Sequence, residues 1–197
     1  MRLFWAAIFG GAVLSACTDS SPNVILETTQ GNIEIEVYPK KAPISAADFL
    51  YYIDEGLYDN QGFYRTVRAD NDPRDMGMSL IQGGRLDLQS VTMLLDHETT
   101  EMSGLSNTSG SVAIGRDKPG TGSAAFFYIN IGDNSFLDYG GERNPDGQGY
   151  AVFGQVISGM DTVKAIQSGE AKGVSDQEVT NGQFLTEPVI IKKAYRK

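Results

Sequence analysis

The 197 residues carry 16 basic and 25 acidic side chains, a formal net charge of −9, with 41% hydrophobic and 21% charged content. That is enough chain for one domain with a buried core, and too little for two comfortable ones. The acidic balance disfavours nucleic acid and anionic lipid headgroups as partners, and one histidine with one cysteine excludes a zinc site of the usual His and Cys type.

The chain opens on "MRLFWAAIFGGAVLSAC", with a basic start at Arg2, an apolar run from Leu3 to Val13, and small residues before Cys17. Residues 1–16 therefore read as a secretory signal peptide, too short to span a bilayer as a permanent helix. Leu14, Ser15 and Ala16 resemble the pattern that bacterial lipoproteins place ahead of a lipid-modified cysteine. A diacylglyceryl thioether on Cys17 would hold the chain to a membrane through more than one acyl chain, the condition for stable anchoring. Residues 17–23 then form a polar, lipidated tether, and residues 24–197 the folded domain. Cleavage before Cys17 removes one basic residue, Arg2, from the 16, which carries the balance against 25 acidic residues to −10. No second cysteine remains for a disulfide within the chain. The expected location is the bacterial cell envelope, facing the periplasm, with Thr18 favouring the outer membrane over the inner.

After the tether, "VILETTQGNIEIEVYP" predicts two strands, Val24 to Thr28 and Asn32 to Tyr38. In the second, Ile33, Ile35 and Val37 alternate with Glu34 and Glu36, so one face is buried and the other wet. The period then changes: Ala46, Phe49, Leu50, Ile53 and Leu57 recur at three and four, with Pro43 suited to a first helical turn and Gly56 to the end. Further strands are expected at Gly62 to Val67, Ser79 to Gln82, Ser111 to Ile114, Phe126 to Ile131, Tyr150 to Val156 and Pro188 to Arg196. A second helix is expected from Met160 to Gln167. Short strands with Gly-rich connections and two helices indicate a β-sandwich or a closed barrel capped by helices. In "GFYRTV", strict alternation places Phe63, Arg65 and Val67 on one side, so a guanidinium stands where an apolar side chain is expected.

Three patterns resemble functional motifs and fail on context. His97 lies in "LLDHETTE" beside Asp96 and Glu98, but no serine has the glycine flanks of a nucleophile elbow. "DNDPRD", Asp70 to Asp75, lacks the glycine and distal glutamate of a calcium loop. "GTGSAA", Gly120 to Ala125, has the spacing of a dinucleotide fingerprint, but neither the strand before it nor the helix after it.

The runs "GFYRTV", "LIQGG" ending at Gly84, "GLSNTSGSVAIGR" from Gly104, "AFFYIN" from Ala125, "NSFLDYG" from Asn134 and "GYAVFGQVISGMD" from Gly149 follow one another in the order found in cyclophilins, the peptidyl-prolyl cis/trans isomerases. The similarity extends over nearly all of residues 24–195, and the last two runs look most like the bacterial periplasmic branch. The resemblance implies a mainly β fold, an eight-stranded antiparallel barrel capped by two α-helices. It also implies catalysis by Arg65, donating hydrogen bonds to a twisting X-Pro amide.

Substrate-binding positions carry over one at a time. Gln82 matches the glutamine that fixes the substrate backbone, and Leu80 replaces a usual methionine on the pocket wall. Gly115 and Arg116 fall where a small residue and an Asn or Arg meet the substrate. Phe126 stands where a second glutamine is common, Tyr128 where a pocket phenylalanine is, and Phe136 with Leu137 where Trp or Phe precedes Leu. Tyr150 takes the edge position. Ser79 replaces a usual pocket aromatic, and sixteen residues separate Arg65 from Gln82, about nine more than the family has, so the stretch Arg68 to Met78 is expected to project beside the groove.

The resemblance thus implies an isomerase acting as a monomer on proline-containing, unfolded or partly folded envelope proteins. It would use no cofactor, no metal and no titrating residue. Ser79, Phe126 and the insertion motivate an alternative on the same fold, a catalytically weak proline-peptide-binding module or chaperone. A hydrolase built on His97 is the third reading.

Overall fold

A computed structural model describes residues 21–86, 94–173 and 178–197. The expected signal peptide, Cys17 and most of the expected tether lie outside the described residues. Among the described residues no helix is long and apolar enough to cross a membrane.

Strands β1 (Asn23–Thr28) and β2 (Gly31–Val37) form the expected hairpin, with Leu26 opposite Ile33 and Thr28 opposite Gly31. Then follow α1 (Pro43–Asp54), β3 (Gln61–Val67), β4 (Leu80–Gly84), the single turn α2 (Thr100–Ser103), β5 (Ser111–Ile114), β6 (Phe126–Asn130), β7 (Val152–Ser158), α3 (Met160–Gln167), β8 (Ala171–Gly173) and β9 (Phe184–Arg196). Every ladder is antiparallel, in the order β1-β2-β7-β5-β6-β4-β3-β9, and β9 pairs back with β1. Eight strands thus close on themselves, so among the described residues the barrel itself has no open edge. The short β8 adds to the outer side of β9.

Inward-facing residues of alternating strands fill the barrel: Leu26, Ile33, Ile35, Phe63, Ile81, Phe127 and Phe153, all fully buried. Helix α1 packs on β7 and β9, and α3 on β2, β3 and β4. From α1, Phe49 enters the core with ring centroids 5.5 Å from Phe127 and 4.8 Å from Phe153. These two helices are the expected caps.

Helix α1 has no local cap, because Ala42 offers no side-chain acceptor. Its first amides are satisfied from more than fifty residues away. Buried Glu98 accepts from Ile44 N at 3.0 Å and Ser45 N at 2.7 Å, placing a carboxylate on the positive end of the helix. Glu98→Ala is expected to lower unfolding stability by about 1 to 2 kcal/mol. Urea denaturation checks this, with specific activity of the folded fraction unaltered. A second buried carboxylate, Asp48 on α1, accepts from Ala124 N at 2.7 Å and Ser123 Oγ at 3.2 Å, and burial pushes its pKa up.

The structure corrects strict alternation in β3. The register between β3 and β4 shifts between Phe63 and Arg65, so Tyr64 is a bulge. The extra residue reverses the phase. Phe63 therefore points into the barrel, while Arg65 and Val67 lie on the outer face opposite Gln82 and Leu80. The same shift appears against β9, where Phe63 faces Val189 but Arg65 faces Phe184. Strand β9 consequently starts four residues earlier than Pro188, and that proline sits in the irregular stretch, where its missing N–H breaks no ladder bond.

Candidate active site

A row of outer-face residues runs across five strands: Arg65 opposite Gln82, Gln82 opposite Tyr128, Tyr128 opposite Ala113, and Ala113 opposite Val152. Beside it Val67, Met78, Leu80, Tyr128, Leu137 and Val152 form an apolar cluster separate from the barrel interior. Between them lies a cavity of about 80 Å³, lined by Arg65, Leu80, Gln82, Gly115, Arg116, Tyr128, Leu137 and Tyr150, together with Met78 and Arg143. A wider hollow of about 480 Å³ shares Arg65, Gln82, Gly115, Arg116, Arg143 and Tyr150 and reaches Phe126.

Three hydrogen bonds to two neutral amides fix the Arg65 guanidinium. Nη1 donates to Gln82 Oε1 at 2.7 Å, while Nε and Nη2 donate to Gln183 Oε1 at 3.0 and 2.6 Å. Burial lowers the Arg65 pKa, and nearby Arg143 adds to the lowering. Neither amide cancels the charge, so its field is directed at whatever occupies the cavity.

Gly115 sits where there is little room for a side chain: a Cβ there would lie 3.0 Å from Gln82 Nε2 and 3.1 Å from Phe126 O. The Tyr128 hydroxyl, an addition to the usual pocket phenylalanine, donates to the fully buried Asn107 Oδ1 at 2.8 Å. Its ring meets that of Tyr150 edge to face, with centroids 5.8 Å apart. Arg116 is committed to structure, bidentate to Asp146 at 2.9 Å for both bonds and bonded through Nε to Gly149 O at 2.7 Å.

Phe136 lines neither hollow. The single 3₁₀ turn Ser135–Leu137 presents successive side chains in different directions, so Leu137 enters the cavity wall and Phe136 packs on the apolar cluster at its flank. Ser79 also stays off the wall, its hydroxyl accepting from Gln167 Nε2 at 2.8 Å. Met78, two positions before Leu80 and four before Gln82, supplies apolar surface instead. The two-residue period of a strand is the signal that would have found it.

The insertion folds back rather than projecting. Asp72 accepts from the backbone amides of Arg74, Met76 and Met78, Asn71 donates to Thr66 O and Gly182 O, and Arg68 donates to Gln167 O and Gly169 O. "DNDPRD" is therefore a loop organised by one carboxylate, and no metal-binding cluster occurs among the described residues. His97 Nε2 bonds the Gln148 carbonyl oxygen at 3.0 Å and lines neither hollow, so this site gives the hydrolase reading no support. Gln183, Arg143 and Arg74 were not found from the sequence. Gln183 lies 118 residues from Arg65, and Arg143 sits in a Gly-rich connection without periodicity.

The profile of the family "Cyclophilin type peptidyl-prolyl cis-trans isomerase/CLD" matches residues 23–195. Among curated proteins, a peptidyl-prolyl cis-trans isomerase of Acinetobacter baylyi is 36% identical over 163 residues, covering 82% of this chain and 80% of its own. Peptidyl-prolyl cis-trans isomerase B of Escherichia coli is 33% identical, over 85% of this chain and 98% of its own. Among solved structures, a cyclophilin type isomerase of Cryptosporidium parvum superposes with a TM-score of 0.66 at 18% identity, covering 90% of this chain and 98% of that one, a likeness of fold. The match runs from β1 to β9, and on it the chain belongs to the cyclophilin type peptidyl-prolyl cis-trans isomerases.

Proposed function

We propose that Arg65 is the catalytic group of this isomerase, and that the cavity beside it holds the proline of an X-Pro substrate. Rotation about that bond breaks C–N double-bond character against a barrier of about 18 to 20 kcal/mol. As the amide twists, the proline nitrogen regains a lone pair, which a fixed guanidinium stabilises more than it stabilises the planar ground state. A thousandfold acceleration requires about 4 kcal/mol. One or two charge-assisted hydrogen bonds of about 1.5 to 3 kcal/mol each supply it. Gln82 faces the substrate backbone while holding Nη1, and Leu80, Met78, Leu137, Tyr128 and Tyr150 give the proline ring an apolar seat. The observation that carries this reading is a half-buried guanidinium, hydrogen-bonded only to neutral amides among the described residues, on the wall of a cavity that also presents Met78, Leu80, Leu137 and two tyrosine rings. Met78 on that wall makes good the aromatic absent at position 79, which favours catalysis over the weak binding module.

No group in this reading changes protonation during turnover. Burial lowers the Arg65 pKa from its ordinary value, yet an arginine starts so far above neutrality that it keeps its charge at neutral pH. Histidine is the side chain that ordinarily titrates near neutrality. The only histidine is His97, away from the cavity. Values of kcat/KM on an Ala-Pro peptide are therefore expected to vary less than about twofold between about pH 6 and 8. A bell-shaped or sigmoidal profile across that range would contradict the assignment.

We also propose that the chain is exported, cleaved before Cys17 and lipidated there. It would then work as a monomer at the envelope, outer membrane before inner, on proline-containing proteins folding in the periplasm. "LSAC" and the acidic mature domain support this. Fractionation of cells carrying the chain and a Cys17→Ala variant tests it. The wild type is expected in the membrane pellet with an acyl mass on its N-terminal fragment, the variant in the soluble fraction.

A further inference from the structure

The two hollows carry more positive charge than twisting an amide requires. Arg65, Arg116 and Arg143 line both, and Arg74 lines the wider one, in a chain whose net charge is −9. Arg116 is neutralised by Asp146. Among the described residues no carboxylate pairs with the guanidinium of Arg65, Arg74 or Arg143. Asp72, whose charge acts on both Arg65 and Arg143, is engaged by three backbone amides, and Asp117 lies exposed in the lining of the wider hollow.

Arg143 is the informative one. Its Nη1 is buried without a hydrogen-bond partner, and so is Nδ2 of the adjacent Asn144. Arg74 Nη1 donates to the Arg143 carbonyl at 3.0 Å and brings a further cation to the same wall. Burial pulls the Arg143 pKa down, and Arg74 adds to it. A buried charged donor without a partner, beside a second cation and a buried neutral amide donor also unpaired, is costly unless an anion answers it. The loop bearing Arg143 and Asn144 is a Gly-rich connection between Leu137 and Tyr150, so these donors stand beside the seat assigned to proline rather than remote from it.

We infer that this groove selects X-Pro substrates carrying an Asp or Glu side chain next to the proline, with Arg143 as the residue that reads the carboxylate. This rests on the proline-binding assignment above. Arg65 addresses the twisting amide, Arg143 and Asn144 Nδ2 take the neighbouring carboxylate, and Arg74 strengthens the local field. A carboxylate on a peptide comes from a side chain or from the chain's C-terminus, and the internal side chain is the source assigned here, because an enzyme acting on folding chains meets proline within them.

The test uses the full chain, solubilised in detergent, with amidated peptides bearing Glu, Gln or Lys either before or after proline. A further neutral peptide ends in proline as amide or as free acid. Dissociation constants come from chemical-shift titration and rates from exchange NMR, which needs no coupling protease. The expected result is a Glu peptide favoured over its Gln counterpart by about tenfold or more at one flank, with Lys poorest. The preference should shrink as salt rises from about 0.05 to 0.5 M. It should fall towards parity in Arg143→Gln and turn towards Lys in Arg143→Glu.

Equal affinities for Glu, Gln and Lys at both flanks would overturn the inference, as would a Glu preference that survives Arg143→Gln. An advantage confined to the free acid would overturn it in favour of a chain-end reader. Should neither variant fold, the wild-type ratios and their salt dependence decide alone. Failure of the isomerase assignment would look different, as absence of exchange on the neutral amide, and the titrated affinities would still report on the carboxylate.

Discussion

Replacing Arg65 by alanine is expected to lower kcat/KM for an Ala-Pro peptide by about a hundredfold to a thousandfold, with the barrel intact. The loss corresponds to about 3 to 4 kcal/mol of transition-state stabilisation. Its source is a charge on the cavity wall that neutral amides hold still without cancelling it. Folding should survive, because Arg65 lies on the outer face and among the described residues pairs with no carboxylate whose charge its loss would strand. Arg65→Lys should recover little, since one ammonium cannot bond both glutamines and the substrate in the fixed fork of a guanidinium. Turnover within threefold of wild type for Arg65→Ala, in protein with native circular dichroism, would remove Arg65 from the mechanism.

Gln183→Ala is expected to cost about ten- to a hundredfold, mostly in kcat. Gln183 is fully buried, and its Oε1 takes both Nε–H and one Nη2–H of Arg65 while its Nε2 donates to Asn71 O at 2.8 Å. Without it two guanidinium donors are unsatisfied and the fork is free to rotate away from the amide. Misplacement of this kind weakens an interaction made in the transition state more than one made on binding, so KM should move less than kcat. Gln183→Glu separates geometry from field: it keeps an acceptor but adds a charge that quenches the guanidinium, and it should be slow as well. A fast Glu variant would mean that Gln183 only positions, and that the free charge is not what matters.

Period and turn chemistry made the architecture largely legible. The alternation of Ile33, Ile35 and Val37 and the spacing of Ala46, Phe49, Leu50 and Ile53 place β2 and α1 correctly, because one buried face suffices to specify each element. What escaped depends on contacts between distant residues. Tyr64 opposes no partner residue in β4, and nothing in "GFYRTV" announces that bulge, so Phe63 and Arg65 seemed to share a face. Glu98 caps a helix that begins at Pro43, and no local motif can encode such a cap. Ordered motifs brought Arg65, Gln82, Gly115 and Tyr128 to one cavity. Gln183 and Arg143 stayed hidden because each acts through a bond or a charge that exists only once the barrel has closed.

That closure depends on the last strand. β9 joins β1 to β3, and the residue clamping Arg65 lies immediately before it. A chain emerging N-terminus first therefore has no oriented guanidinium until Gln183 and β9 have arrived, so a polypeptide made only as far as β8 cannot act on its neighbours. Competence is gained in one step, when β9 docks between β1 and β3.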